Sequence, residues 1–216
     1  MQIRPRSHVK RVRQRAHYDQ TTVHAVLDAS WIAHVSFADT TGQPFVIPML
    51  YAREGNALLL HGSIASRLLR TLGDGIDACV CVTLIDGLVL ARSHFHHSVN
   101  YRSVVAFGRA SMVLDDALKS AALTRFVDAI VPGRAAESRA ADRNELAATT
   151  LLRFDIEDAS AKIRTGGPKD DPADSGLPVW SGVVPIHTRH AEPLPADDLT
   201  GGTDVPDSVL RLLGDR

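Results

Sequence analysis

Leu60-His61-Gly62-Ser63-Ile64-Ala65-Ser66-Arg67-Leu68-Leu69 holds a strand end, a turn and a helix start in one unbroken stretch. Its first part belongs to Ala57-Leu58-Leu59-Leu60-His61-Gly62, a short apolar run that stops at glycine, as a strand does. From Ser63 to Leu72, Ile64, Leu68, Leu69 and Leu72 recur on one helical face, while Ser66, Arg67 and Arg70 stay polar. A helix therefore follows directly on a strand.

The flanking sequence sets that junction in a mostly β context. Upstream, Thr21 to Asp28 reads as a short helix with Val23, Val26 and Leu27 inward and Thr21 or Thr22 as its cap. Trp31 to Phe37 and Pro44 to Tyr51 read as a hairpin joined by Asp39-Thr40-Thr41-Gly42-Gln43, and Arg53-Glu54-Gly55-Asn56 as the next turn. With Ala57 to Gly62, this gives three antiparallel strands in sequence. Downstream, Ala78 to Ala91 and Tyr101 to Leu114 are long apolar runs, the first open to a bend at Asp86-Gly87. Asp115-Asp116 opens an amphipathic helix through Leu118, Ala122, Leu123, Phe126, Val127 and Ile130, and a second helix covers 140–148. Thr150 to Ile163 alternates as a final strand with Leu152, Phe154 and Ile156 on one face. Helices inserted among short antiparallel strands, without strict alternation, favour a mainly β barrel over a doubly wound sheet.

The 216 residues, 44% apolar and 23% charged, suffice for one sizeable core. A net charge of -1 offers no field for nucleic acid, and the basic run from Arg4 to Arg15 lacks interleaved aromatics. No apolar window approaches membrane-spanning length and no signal peptide is evident, so a cytoplasmic location is expected. Cys79 and Cys81 fall on one face of a strand, which is unsuited to mutual bonding, and read as core residues. His94, His96 and His97 cluster, and on a strand the first two would share a side. No carboxylate or cysteine nearby completes a ligand set, so no metal site is expected and the cluster reads as a polar loop. Neither a serine-hydrolase elbow nor a clustered glycine fingerprint is present.

Three ordered segments carry a resemblance. They are Phe45-Val46-Ile47-Pro48-Met49-Leu50-Tyr51, then Leu60 to Leu69, then Asp86-Gly87-Leu88-Val89-Leu90-Ala91 continuing through His97-Ser98-Val99-Asn100-Tyr101-Arg102-Ser103-Val104-Val105. Their order and spacing resemble the pyridoxamine 5'-phosphate oxidase-like family, in its flavin-nucleotide-binding branch that includes nitroimidazole-resistance proteins. The similarity runs from about Arg11 to Ile186. It implies a six-stranded antiparallel FMN-binding split barrel over 19–186, after a basic segment at 1–18 and before a tail at 187–216. It also implies a homodimer with FMN in each groove between subunits.

By the same resemblance, Pro48, Met49, Leu50 and Tyr51 border the isoalloxazine ring, and His61, Gly62 and Ser63 lie beside the cofactor. Ser66 and Arg67 stand at the phosphate-binding pair, with a hydroxyl where relatives carry a second cation, and Arg70 lies one turn on. Ser103 is the polar strand residue facing the flavin, and Trp180 the late aromatic reaching its edge. Taken alone, Ser66-Arg67 would be a solvated helix face, Pro48 an edge-strand residue, and His61 a hydrogen-bonded structural histidine. The implied function is flavin-dependent oxidation or reduction of a small organic acceptor, without a protein nucleophile. The alternative is a flavin or haem carrier that uses the same groove without turnover. The full pyridoxamine phosphate oxidase reaction is not expected, because Arg189 and Arg211 make no convincing second phosphate motif.

Overall fold

The structure, a computed structural model, describes residues 4–214; the first three residues of the basic segment and the last two of the tail lie outside the described residues. In chain order the elements are β1 (Ala16–His17), α1 (Gln20–Asp28), β2 (Ile32–Ala38), β3 (Pro44–Leu50), β4 (Ala52–Glu54) and β5 (Ala57–Ser63). Then come α2 (Arg67–Gly73), β6 (Asp77–Leu90), β7 (Ser98–Met112), α3 (Asp116–Ile130), α4 (Arg134–Glu137) and α5 (Arg143–Ala148). The chain finishes with β8 (Thr149–Arg164), β9 (Gly182–Pro185) and α6 (Asp207–Gly214).

One antiparallel sheet runs β3-β2-β6-β7-β8-β5-β4, with β1 added to β8 and β9 added to β6. Six strands have seven residues or more, as a split barrel requires; β1, β4 and β9 are short additions. The middle of the sheet is built from β6, β7 and β8, whose period-2 alternation sends Val80, Val82, Val104, Ala106, Leu152 and Phe154 to one side. The sheet curls around these side chains, and α1 and α2 close over them with Val23, Val26, Leu27, Leu68, Leu69 and Leu72. Burying each leucine of α2 contributes roughly 1.5–3 kcal/mol.

Several local expectations change. The cap of α1 is Asp19, not a threonine, because its carboxylate accepts from the Thr22 amide at 2.8 Å while its own backbone is extended. The strands do not pair as a three-strand meander: β5 crosses to β8, leaving β3 at the open side of the sheet. The expected turn at 53–56 shrinks to Gly55-Asn56, since β4 pairs back on β5 from Ala52 to Glu54, with Gly55 at φ 59°. Helix α2 starts at Arg67 rather than near Ser63, because Ser63 and Ser66 form a turn first, which leaves Ile64 exposed. Cys79 and Cys81 lie opposite the core side of β6, half-buried, and burial pushes the Cys79 thiol up to about 11. The tail carries α6, tied back by Ser208 to Glu137 and by Arg211 to the Pro132 carbonyl.

The bend near Gly87 is present as a register shift between Ile85 and Gly87, and a second shift on β8 follows Phe107. At that second irregularity Gly108 meets Ile156, and an added Cβ would overlap the Asp155 carbonyl oxygen. Backbone cannot yield as a flexible side chain can. Gly108→Ala is expected to destabilise the fold by about 3 kcal/mol, seen as a lower urea midpoint, whereas Gly55→Asn, at a left-handed turn position open to solvent, stays within about 1 kcal/mol.

Candidate cofactor groove

Arg67 opens α2 beside the free side of β3. Ser66 caps the helix, its Oγ accepting from the Leu69 amide at 3.4 Å, so a serine lone pair is committed while its O–H remains free to donate. The Arg67 guanidinium lies 4.3 Å from the Phe45 ring centroid, and Phe45 stacks on Phe37 at 5.3 Å. Among the described residues Arg67 forms no ion pair. Asp39 lies close enough to feel its charge, yet that carboxyl is held below its ordinary value chiefly by the Thr41 hydroxyl. Arg67 is thus an exposed cation steered by an aromatic face and left available to an anion.

β3 supplies the adjoining wall. It pairs with β2 on one side only, so its other edge presents backbone groups, interrupted where Pro48 has no N–H. Phe45, Ile47 and Met49 pack on the core, while Val46, Pro48 and Leu50 face outward. Tyr51 departs from its expected role. It is 1% exposed, its amide donates to the Trp31 carbonyl and its hydroxyl to the Leu27 carbonyl. Burial pushes its phenol well above the ordinary range, so its side chain is committed to the core rather than to a ring.

The outward face continues across the sheet. His34 aligns with Pro48 and Cys81, and further along Thr83 aligns with Ser103, which aligns with Lys162. Ser103 is therefore three strand spacings from β3, about 14 Å, and donates to the Lys162 carbonyl at 3.3 Å. A groove of about 630 Å³ opens between Trp31, Ile32, Thr83, Ile85, Arg102 and His187. Arg102 is fixed there by a two-pronged pair with Asp86, at 2.8 to 3.2 Å. The sequence reading did not single out Trp31, Arg102 or His187. The signal for Arg102 was the Asp86-Gly87 irregularity, which turns a carboxylate toward it.

His61 does not join Arg67. Strand alternation sends Leu58 and Leu60 into the main core but His61 toward α3, where its ring meets Phe126 edge-on at 4.4 Å. It lines a separate cavity of about 400 Å³ with Leu123, Phe126, Val127 and Arg139. Burial lowers its pKa, and neither ring nitrogen has a hydrogen-bond partner among the described residues. Gly62 sits against Leu69, where a Cβ would approach to 3.0 Å, and the Ser63 hydroxyl accepts from the Ala65 amide. Trp180 is 65% exposed and leans on Gly182 just ahead of β9. His94 and His96 lie in a 3-10 turn, not a strand, and so do not share a strand face; His96 bonds Ser93, and His97 accepts from the Ala91 amide.

Comparison with known proteins places this geometry. The sequence profile of the family described as pyridoxamine 5'-phosphate oxidase matches residues 19–163. No curated protein sequence is significantly similar. Among solved structures, the flavocytochrome Anf3 from Azotobacter vinelandii is 41% identical over 96% of each chain, with a TM-score of 0.90. The FAD and haem binding protein from Mycobacterium smegmatis is 37% identical over 92% of this chain and 97% of its own, with a TM-score of 0.88. A putative 5-nitroimidazole antibiotic resistance protein from Bacteroides thetaiotaomicron shares the fold at 18% identity, covering 68% of this chain and 86% of its own, with a TM-score of 0.59. With its family profile, its single curled antiparallel sheet and its inserted helices, this chain belongs to the pyridoxamine 5'-phosphate oxidase-like split-barrel family.

Proposed function

We propose that this chain binds a riboflavin 5'-phosphate unit, as FMN or as the corresponding half of FAD, and acts as an oxidoreductase on a small organic acceptor. The observation that carries the reading is Arg67, a cation without an ion pair among the described residues, held by Phe45 beside the open edge of β3. A guanidinium there makes two parallel bonds to a phosphate, and the edge of β3 offers alternating donors and acceptors to a heteroaromatic ring. A bound flavin supplies reversible two-electron chemistry at that ring. The chain's part is to grip the phosphate, orient the ring and exclude water.

The site faces a second subunit in this reading. Ile32, Val46, Leu50 and Ile85 are 40 to 62% exposed on one side of the sheet, more apolar surface than a solitary sheet face leaves in water. A homodimer covers it by twofold pairing of the same surface. A cytoplasmic setting suits the two free cysteines, and no helix among the described residues is long and apolar enough to cross a membrane.

A haem alongside the flavin is favoured by His61. Two structures that match more than nine-tenths of this chain are named as a flavocytochrome and as a FAD and haem binding protein. His61 is a half-buried imidazole whose nitrogens have no partner among the described residues, on a cavity lined by Leu123, Phe126 and Val127 together with polar groups such as Arg139 and Glu145. An iron ligand must be unprotonated, and burial acts in that direction.

Three measurements test this. Arg67→Ala is expected to weaken FMN binding by about 1.5–3 kcal/mol, or roughly ten- to a hundredfold, in a fluorescence titration; unchanged affinity removes the phosphate assignment. Anaerobic NADPH or NADH should bleach the bound flavin quickly, whereas an inert chromophore points to a carrier. His61→Gln should abolish a Soret band while flavin absorbance persists. The same variant has a signature without haem. A lowered histidine pKa contributes stability above the unfolded value of 6.5 that is lost as pH falls through the folded value, so His61→Gln should be less sensitive to mild acid than the wild type.

A further inference from the structure

A second cationic cluster lies at the other end of the sheet. β8 ends at Arg164, whose Cα partner is Tyr101, and Arg164 is 5% exposed. Its guanidinium meets only neutral groups: Asn100 Oδ1 and Gly166 O through Nη1, and Gly167 O through Nη2. Its Nε is buried with no hydrogen-bond partner among the described residues. Elsewhere even part-exposed guanidiniums are matched to carboxylates, Arg6 to Asp158 and Arg92 to Asp170. Arg164 has no such counter-ion among the described residues, although burying an ion without one is strongly unfavourable.

The neighbours add charge of the same sign. A cavity of about 410 Å³ beside Arg164 is lined by Arg15, His17 and Lys169 with Gln14 and Thr165, and by no carboxylate. The two acids that follow Lys169 are occupied elsewhere: Asp170 pairs with Arg92 and accepts from Ser181, and Asp171 caps the Ala173 amide. Arg15 stands near enough for its charge, after burial itself, to disfavour the charged form of Arg164. Such an arrangement is complementary to an anion.

We propose that Arg15, Arg164 and Lys169 form a binding site for a phosphoryl anion, distinct from the Arg67 site. Buried and half-buried guanidiniums favour planar two-pronged contact with phosphoryl oxygens, and the exposed lysine supplies a point charge at the rim. Phe45 pairs with Phe37, Phe37 with Ala78, and Ala78 with Gly108, which lies seven residues along β7 from Tyr101. The two sites of one chain are thus separated by about 23 Å along the sheet. The anion belongs to a phosphorylated metabolite separate from the flavin, whose own phosphate is taken by Arg67. The inference stands without the flavin reading, because the probe contains no flavin.

The test is inorganic pyrophosphate titrated into the purified protein at constant ionic strength, read by thermal unfolding. A saturable rise of about 5–10 °C is expected at a hundred times the dissociation constant, and Arg15→Gln with Lys169→Gln together should remove it. Arg67→Ala should leave it intact, so loss of flavin binding and loss of this site are read separately. Neither FMN nor FAD should displace pyrophosphate from this site. An equal rise in the double variant, an equal rise from chloride, or competition by FMN or FAD would overturn the proposal.

Discussion

The register of β6, β7 and β8 governs the rest of the molecule, because a strand's side chains alternate and a slip by one residue exchanges its two faces. With Val82 opposite Val104, and Val104 opposite Ala161, one face becomes a closed hydrocarbon core. The other face is then obliged to carry Cys81, Thr83, Ser103 and Lys162 in the intervening positions. Gly108 holds this arrangement at its tightest point, where two backbones approach with no room for a side chain. Core and groove are therefore two sides of one constraint. A change that protects the first by altering register would dismantle the second.

The same alternation explains why the fold was easier to read than the site. Long runs such as 101–114 and 150–163 declare their period, and the helix from Asp116 declares its face, so each element was legible in kind. Pairing partners were less so, because β5 finds β8 across a long sequence separation that local pattern does not encode. Tyr51 shows the limit for single residues. It sits in the expected segment, but it is the junction between β3 and β4, and the turn of the chain there carries its ring inward to the Leu27 carbonyl. Position in a motif gives proximity, whereas the side a residue faces depends on where its strand ends.

His61 illustrates the same point with chemical consequence. Gly62 and Arg67 lie on one side of the strand-to-helix junction, and His61, one residue earlier on β5, is directed by parity to the opposite side beneath α3. One motif thereby furnishes two separate environments: an exposed cation by an aromatic surface, and an imidazole whose protonated form is disfavoured by burial beside Phe126. In the reading proposed above, a flavin and a haem would each use one of these environments. Their ligands must be near enough to exchange electrons and yet differ in polarity, since a phosphate demands charge and an iron ligand demands its absence.

Charge is handled locally throughout, which the net value of -1 conceals. Arg6, Arg53, Arg92 and Arg102 are each neutralised by a named carboxylate, and these pairs fix segments to the sheet. Arg67 and Arg164 have no carboxylate partner among the described residues, and they differ in a way that bears on how an anion is held. Arg67 remains solvated and keeps its orientation by lying on Phe45, so an incoming phosphate displaces little but water. Arg164 is already stripped of water and tethered by neutral oxygens, so its attraction for an anion is less screened, while its enclosure limits the ligand to a small phosphoryl group. The first arrangement suits a group that must be positioned along a strand edge; the second suits a group that must be recognised by charge alone.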